Sequence, residues 1–272
     1  FFKNPRFTAA SLSITLVFFA MFGYSFLHTQ YFQFVLGYSA AETGVRMLPL
    51  AITLMIVAPT SSRIVEKLGT KVVVTSGLSF VVLALSLQVQ LTADSSYFQV
   101  MWRMMVLALG MGLTMAPATE AIMGSLPLAK AGVGSAMNDT TRQVGGALGV
   151  AIIGSALSSV YGSKITDAFG AKMPPEALEA ARSGIGGALA VAEKAGPAGS
   201  QIAEVARNAF VDAMHGGALV AAGAAAPGVI TAALFLPAHA RPADEVAQER
   251  EFEAEMADAV AHGDSISTDR HR

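Results

Sequence analysis

Long apolar runs separated by short polar segments dominate the chain. Six of them reach the length of roughly 20 residues needed to cross a hydrocarbon core. The pattern places helices at about residues 7–29, 44–60, 72–91, 98–125, 131–160 and 213–236. Short segments at 31–42, 92–96 and 126–130 and a charged turn at 61–71 join the first five. A long segment, 161–212, precedes the sixth, and a polar tail follows it. The expected fold class is all-α: a polytopic membrane protein with a six-helix bundle. Its divisions are residues 1–160 (five helices), 161–212 (outer loop), 213–236 (last helix) and 237–272 (tail).

The long segment is no bare loop. Residues 176–194 and 201–214 are rich in alanine with spaced acids and bases, which favours helix. Glycines and Pro197 interrupt them, so two short helices are expected to cap the bundle. A seventh span there is disfavoured by its charges.

Composition adds weight to the membrane reading. The 272 residues are 53% hydrophobic but only 14% charged, against about 25% in soluble domains. Nine of the twenty acids fall after Pro242, which leaves a solvated acidic tail. The net charge of −2, with no basic stripe, argues against nucleic acid as a partner. Without cysteine, and with five scattered histidines, neither thiolate chemistry nor a metal site is expected. No nucleophile–base pair stands out, so an enzyme is not expected, and no cofactor is called for. The opening Phe1-Phe2-Lys3 and its apolar run differ from a signal peptide, because the run is long and no small-x-small site follows it. The chain reads as part of a longer protein.

Charge also sets orientation. Lys3, Arg6, Arg63, Lys67, Lys71, Lys130 and Arg241 all fall on one side of the predicted spans. The short segments opposite carry only Arg46, and bases in a long loop weigh little. Both ends of this segment are therefore expected in the cytoplasm of a cell whose plasma membrane holds the protein.

Three stretches carry candidate chemistry. The turn at 62–71 reads Ser-Arg-Ile-Val-Glu-Lys-Leu-Gly-Thr-Lys. It resembles the loop motif of the major facilitator superfamily, with Glu66, Lys67, Gly69 and Lys71 in register and Ser62 where glycine is usual. An acid at a helix end can pair with a base or helix N-terminus of a neighbouring bundle, so this turn is a candidate cytoplasmic gate. The plainer reading is an ordinary positive-inside loop.

The fourth predicted span carries Arg103, Gly110, Gly112, Pro117 and Glu120. Arg103 is expected to snorkel to the interface. Glu120 is a candidate by cost, because an intramembrane carboxylate is expensive. It also reads as a structural partner for a base on the next helix.

The fifth span holds the strongest signal, the polar block Asn138-Asp139-Thr140-Thr141-Arg142-Gln143. Asn138, Arg142 and Gly145 or Gly146 share a face, and Gly145 and Gly149 form a close-packing pair. At about 1.5 Å per residue, Asp139 and Arg142 lie about 12 to 16 Å deep. Arg142 is placed to pair with Glu120 or with Asp139.

With the motif Gln30-Tyr31-Phe32-Gln33-Phe34-Val35-Leu36-Gly37-Tyr38-Ser39 and the later Leu48-Pro49, this helix resembles the C-terminal half of the fourteen-helix drug:proton antiporter family. The resemblance runs over residues 1–236. It implies two bundles that rock about a midplane cavity, exporting small lipophilic drugs in exchange for protons. The implied partners are drug, protons, the lipid bilayer and a missing N-terminal half. Asp139, Glu120 and Arg142 become proton or charge-pair candidates. Asn138, Gln143, Gln30, Tyr31, Gln33 and Phe34 become substrate-path candidates, with helix packing and interfacial anchoring as the plainer alternative. Pro117, Gly145 and Gly149 are assigned to packing. A metabolite transporter on the same fold, or a six-helix subunit that does not transport, are the competing readings.

Overall fold

A computed structural model describes residues 3–125 and 131–236. The expected turn at 126–130 and the acidic tail lie outside the described residues. Among the described residues the elements are helical, in the order α1 (Pro5–Gln30), α2 (Ala40–Arg46), α3 (Leu48–Leu68), α4 (Thr70–Ser86), α5 (Tyr97–Met123), α6 (Ala131–Phe169), α7 (Pro175–Arg182), α8 (Ile185–Lys194) and α9 (Gly199–Phe235). Among the described residues six stretches are long and apolar enough to cross a membrane: Pro5–Val35, Ala40–Leu68, Thr70–Gln90, Tyr97–Met123, Ala131–Phe169 and Gly196–Phe235.

Local chemistry explains the starts. Asn4 caps α1 by accepting from the Arg6 amide, and Pro5 opens the helix where its missing N–H costs nothing. Ser39 with Glu42, and Ser96 with Gln99, form capping boxes for α2 and α5.

Helix ends differ from the expectation in three places. First, α1 does not stop at residue 29. It continues as a π-helical turn, Tyr31–Val35, because Tyr31, Phe32 and Val35 are buried and hold the chain in register with the core. Second, the charged stretch 61–71 is hardly a turn. α3 stays helical to Leu68 because Ser61 and Val65 are buried on its inner face, and Gly69 alone (φ 83°) breaks the chain before α4. Third, α6 runs to Phe169, past the expected end at 160, and α9 begins at Gly199 rather than 213. Tyr161, Ile165 and Phe169 are buried in these extra turns, and Lys164 Nζ lies 2.7 Å from Asp212 Oδ2 on α9. Only α7 and α8 remain as separate cap helices.

The spans form two layers. α1 is the hub, packed on α6, α5 and α9. The front layer runs α6, α1, α5, α3, while α9 and α4 back it. Glycine sets the closest crossings. A Cβ at Gly145 or Gly149 would run into the Thr15 or Phe19 carbonyl of α1, and one at Gly77 would sit 2.8 Å from the Gly110 carbonyl of α5. Small residues let membrane helices approach to backbone contact in this way.

One end of the bundle is held by a clasp. Arg103 does not snorkel; it is 5% exposed. Its Nε donates to the Leu87 carbonyl (3.0 Å), Nη1 to Gln99 O (2.6 Å) and Nη2 to Gln90 Oε1 (2.9 Å). The Tyr31 hydroxyl donates to Thr92 O (2.6 Å), and His215 Nε2 lies 2.7 Å from Leu91 O. Buried His28 bridges the Tyr24 carbonyl and Gln88 Oε1, 3.2 Å from each. The turn after α4 presents carbonyls that α1, α5 and α9 satisfy, and acceptors nearby outcompete snorkelling.

Candidate functional site

The front layer is open on one side. α3 and α6 scarcely touch each other, so with α1 and α5 as floor they wall a trough. Two cavities lie along it. On α5 the sequence 107, 111, 115, 119 steps down the trough by one turn at a time, and Met47 just before α3 with residues 50, 54 and 58 on it follow the same line.

The cavity nearer the Gly69 end has a volume of about 430 Å³. Leu54 and Ala58 of α3, Met115, Thr119 and Glu120 of α5, and Arg142 of α6 line it. Arg142 Nη2 donates weakly to Thr119 Oγ1 (3.3 Å), and the guanidinium lies 5.3 Å from the Phe18 ring centroid. Its Nε is buried without a partner among the described residues. Asn138, one turn before Arg142, is 7% exposed, and its Oδ1 also finds no partner. Asn138 and Arg142 are one turn apart on α6, and of the two only Arg142 lines the cavity.

Glu120 and Arg142 thus line one cavity, but no ion pair joins them or joins Arg142 to Asp139 among the described residues. Glu120 instead accepts from the Ser62 hydroxyl, 3.2 Å away on α3. Ser62 is the residue that departs from the loop motif, so its contact could not be read from the motif. Asp139 and Gln143 are exposed on α6. Pro117 is buried inside α5.

The other path candidates separate. Gln30 bonds back to Phe26 O (3.4 Å), and Gln33 is half-exposed in the π turn. Tyr31 is fully buried in the clasp, so it packs rather than lining a route. Phe34 faces Gly186 of the cap helix α8, and its carbonyl accepts from Arg207 Nε (3.3 Å), which ties α9 to the π turn. Their motif combines packing roles and exposed positions that spacing alone does not separate. A more polar groove of about 490 Å³ between the last turns of α6 and α7 lies away from the intramembrane charges.

In the candidate gate, Glu66 and Lys67 are exposed and Lys71 is half-exposed. Gly69 carries the whole change of direction. Replacing it with alanine is expected to cost about 1–2 kcal/mol, because φ 83° with ψ 155° is strained for a residue with a Cβ. Gly44→Ala, in α2 with open space around it, is the comparison and should be neutral. Thermal midpoints of the two variants of the full-length protein, side by side, check this.

A family model described as Major Facilitator Superfamily matches residues 1–150. The chain is 30% identical over 222 residues to the multidrug efflux pump LfrA of Mycolicibacterium smegmatis, covering 81% of this chain and 44% of that protein. It is 29% identical over 241 residues to the tetracenomycin C resistance and export protein of Streptomyces glaucescens, covering 86% and 44%. A third relative is the methyl viologen resistance protein SmvA of Salmonella typhimurium, 30% identical over 216 residues, covering 79% and 42%. The chain thus spans less than half the length of these relatives. Among solved structures, a bacterial homologue of the human lysosomal transporter Spinster, inward-facing and unoccupied, superposes with a TM-score of 0.65 at 19% identity, over 89% of this chain and 50% of that one. Its occupied form gives 0.67 at 18% identity, over 86% and 50%. At that identity the likeness concerns the fold alone.

Proposed function

Because the chain belongs to the major facilitator superfamily, we propose that it is the C-terminal half of a pump that exports small lipophilic drugs in exchange for protons. The carrying observation is the trough: a wall of α1, α3, α5 and α6, open on one side, with Arg142 and Glu120 at its polar end. A second bundle across that opening would close the trough into a cavity. Relatives named for multidrug efflux and for resistance support the substrate class.

In this reading the ends bearing Gly69 and Pro5 face the cytoplasm, and the α7–α8 cap lies outside. Glu66, Lys67, Gly69 and Lys71 form a gate against the N-terminal bundle. A proton neutralises Glu120 or Asp139 as the drug leaves. Glu120 is the better placed of the two, since it shares its cavity with Arg142 and its hydrogen bond from Ser62 links α5 to the gate helix. Losing the charge on Glu120 would weaken that bond and alter the field at Arg142.

The test uses the full-length protein in proteoliposomes, with drug-driven proton flux as the readout. Glu120→Gln or Asp139→Asn is expected to lower the flux at least about tenfold, the loss of a proton-transfer group. Undiminished flux in both variants would overturn the assignment of coupling to this half.

One observation favours a second reading, transport of an anionic metabolite. Arg142 faces the cavity with no carboxylate within ion-pair distance among the described residues. Counterflow of an organic acid, abolished in Arg142→Gln, would decide for it.

A further inference from the structure

Arg46 is the last residue of α2 and serves neither the trough nor the clasp. Its guanidinium lies 3.9 Å from the Tyr38 ring centroid and 5.9 Å from that of Tyr97. Glu42, one turn back on α2, stands 3.8 Å from its Nη1. Two aromatic faces and a carboxylate around one cation make an aromatic cage. The cage adjoins the trough, because the next residue, Met47, lines the second cavity.

Arg46 fills this cage poorly. At 3.8 Å its contact with the Glu42 carboxylate is too long for a hydrogen bond. Among the described residues the guanidinium makes one hydrogen bond, to the Glu42 carbonyl, at 3.5 Å. A well-built arginine pair brings a fork of donors onto the carboxylate. Here both partners hang from one short helix, and the tether keeps them apart. The Arg46 and Glu42 side chains are 30% and 52% exposed, so the seat is accessible.

The cage is fixed without the Arg46 side chain. Glu42 is held by its capping box: Oε2 accepts from the Ser39 amide (2.8 Å), and Ser39 Oγ accepts from the Glu42 amide (3.2 Å). Oε1 is left for a cation. The Tyr97 hydroxyl donates to the Arg46 backbone carbonyl (3.1 Å), a bond that truncating the side chain leaves intact. Tyr38 is placed by Gly37 (φ 73°) and by its own amide, which donates to the Phe32 carbonyl (2.9 Å).

We propose that Tyr38, Tyr97 and Glu42 form a binding site for the guanidinium group of an external ligand, which Arg46 occupies in the free protein as a tethered surrogate. A free guanidinium is not bound to α2. It can stack on Tyr38 and still close on Glu42 Oε1 at hydrogen-bond distance, which Arg46 does not do. The ligand is therefore an organic cation with a planar, delocalised head. A neutral urea of the same outline lacks the charge that the ring faces and the carboxylate answer. Only the site's place on an export route rests on the drug-export reading; its chemistry does not.

Benzylguanidinium and benzylurea, matched in outline and different in charge, are the probes. Binding is measured by calorimetry on the purified full-length protein in detergent. The wild-type protein should bind benzylguanidinium weakly, because a tethered competitor acts at high local concentration. Arg46→Ala should tighten it at least about fivefold by removing that competitor, with benzylurea unchanged. Arg46→Gln keeps most of the stem and should act in the same direction, so it carries the test if the alanine variant does not fold. Adding Tyr38→Leu to either variant should remove the gain. No gain in a folded Arg46 variant would overturn the site. So would a gain that survives Tyr38→Leu, since the loss of a positive charge alone would then explain it, or an equal gain for benzylurea, since only space would have been opened. If the gain appears but the protein moves no drug, the site stands and the export reading fails; drug flux without the gain gives the reverse.

Discussion

Full-length protein carrying Gly149→Leu is expected to yield almost no folded transporter. Gly149 lies where α6 crosses α1 in backbone contact, and even a methyl group there would meet the Phe19 carbonyl. Gly145, one turn earlier, makes the same approach to Thr15. The obstacle is main chain, which cannot rotate aside as a side-chain tip can. Leucine must therefore push the two helices apart and open the most extensive interface of the hub helix. Overpacking costs about 1–3 kcal/mol where side chains can give way, and this site should reach the top of that range or exceed it. The control is Gly223→Leu in α9, where a Cβ meets nothing within 4 Å. Monodisperse yield and thermal midpoint in detergent are the readouts. Equal values for the two variants would show that α6 and α1 do not meet as described.

Arg103→Leu should be the next most damaging change, at about 2 kcal/mol. The substitution keeps an apolar stem but withdraws three donors from the turn after α4 and the first turn of α5. Leu87 O, on a half-buried residue, then loses its partner at about 1–3 kcal/mol, while exposed Gln90 can turn to water. Arg103→Lys should recover part of the loss, since an ammonium can reach one acceptor but not a fan of three. Unfolding in mixed micelles would measure the series. Were Arg103 a snorkelling anchor instead, leucine would change stability by no more than about 0.5 kcal/mol, as at an ordinary surface position.

The contrast between these residues shows what the sequence carries. Runs of apolar residues at spanning length are a composition signal, so six spans were legible. The Gly145 and Gly149 spacing was legible too, because close packing leaves a period on one helix. Arg103 was not, because its partners lie on the turn after α4 and in its own first turn, and nothing in a hydropathy pattern says that carbonyls will be waiting. The lengths of α6 and α9 escaped for a similar reason. Tyr161-Gly162-Ser163-Lys164 looks like the end of a span, yet burial of Tyr161 and Ile165 and the Lys164–Asp212 pair keep it helical. Tertiary contact overrode local composition.

The trough follows the same logic. Arg142 and Glu120 announced themselves by the cost of charge in lipid. Ser62, Thr119 and Phe18, which touch them, are ordinary residues on other helices. A period-four row on α5, Leu107, Met111, Met115 and Thr119, was the one available trace of the trough wall.

The 39 residues of α6 and 37 of α9 make rods of about 58 and 55 Å, nearly twice the roughly 30 Å of a hydrocarbon core. The surplus of each lies at the end that carries α7 and α8, and the Lys164–Asp212 pair braces the two surplus lengths together. The cap is therefore a pointer on a rigid mast rather than a loop on a hinge. A tilt of about 10° at mid-bilayer would sweep a point about 35 Å along such a rod through roughly 6 Å. Motion too small to see among packed spans becomes a legible displacement at the masthead.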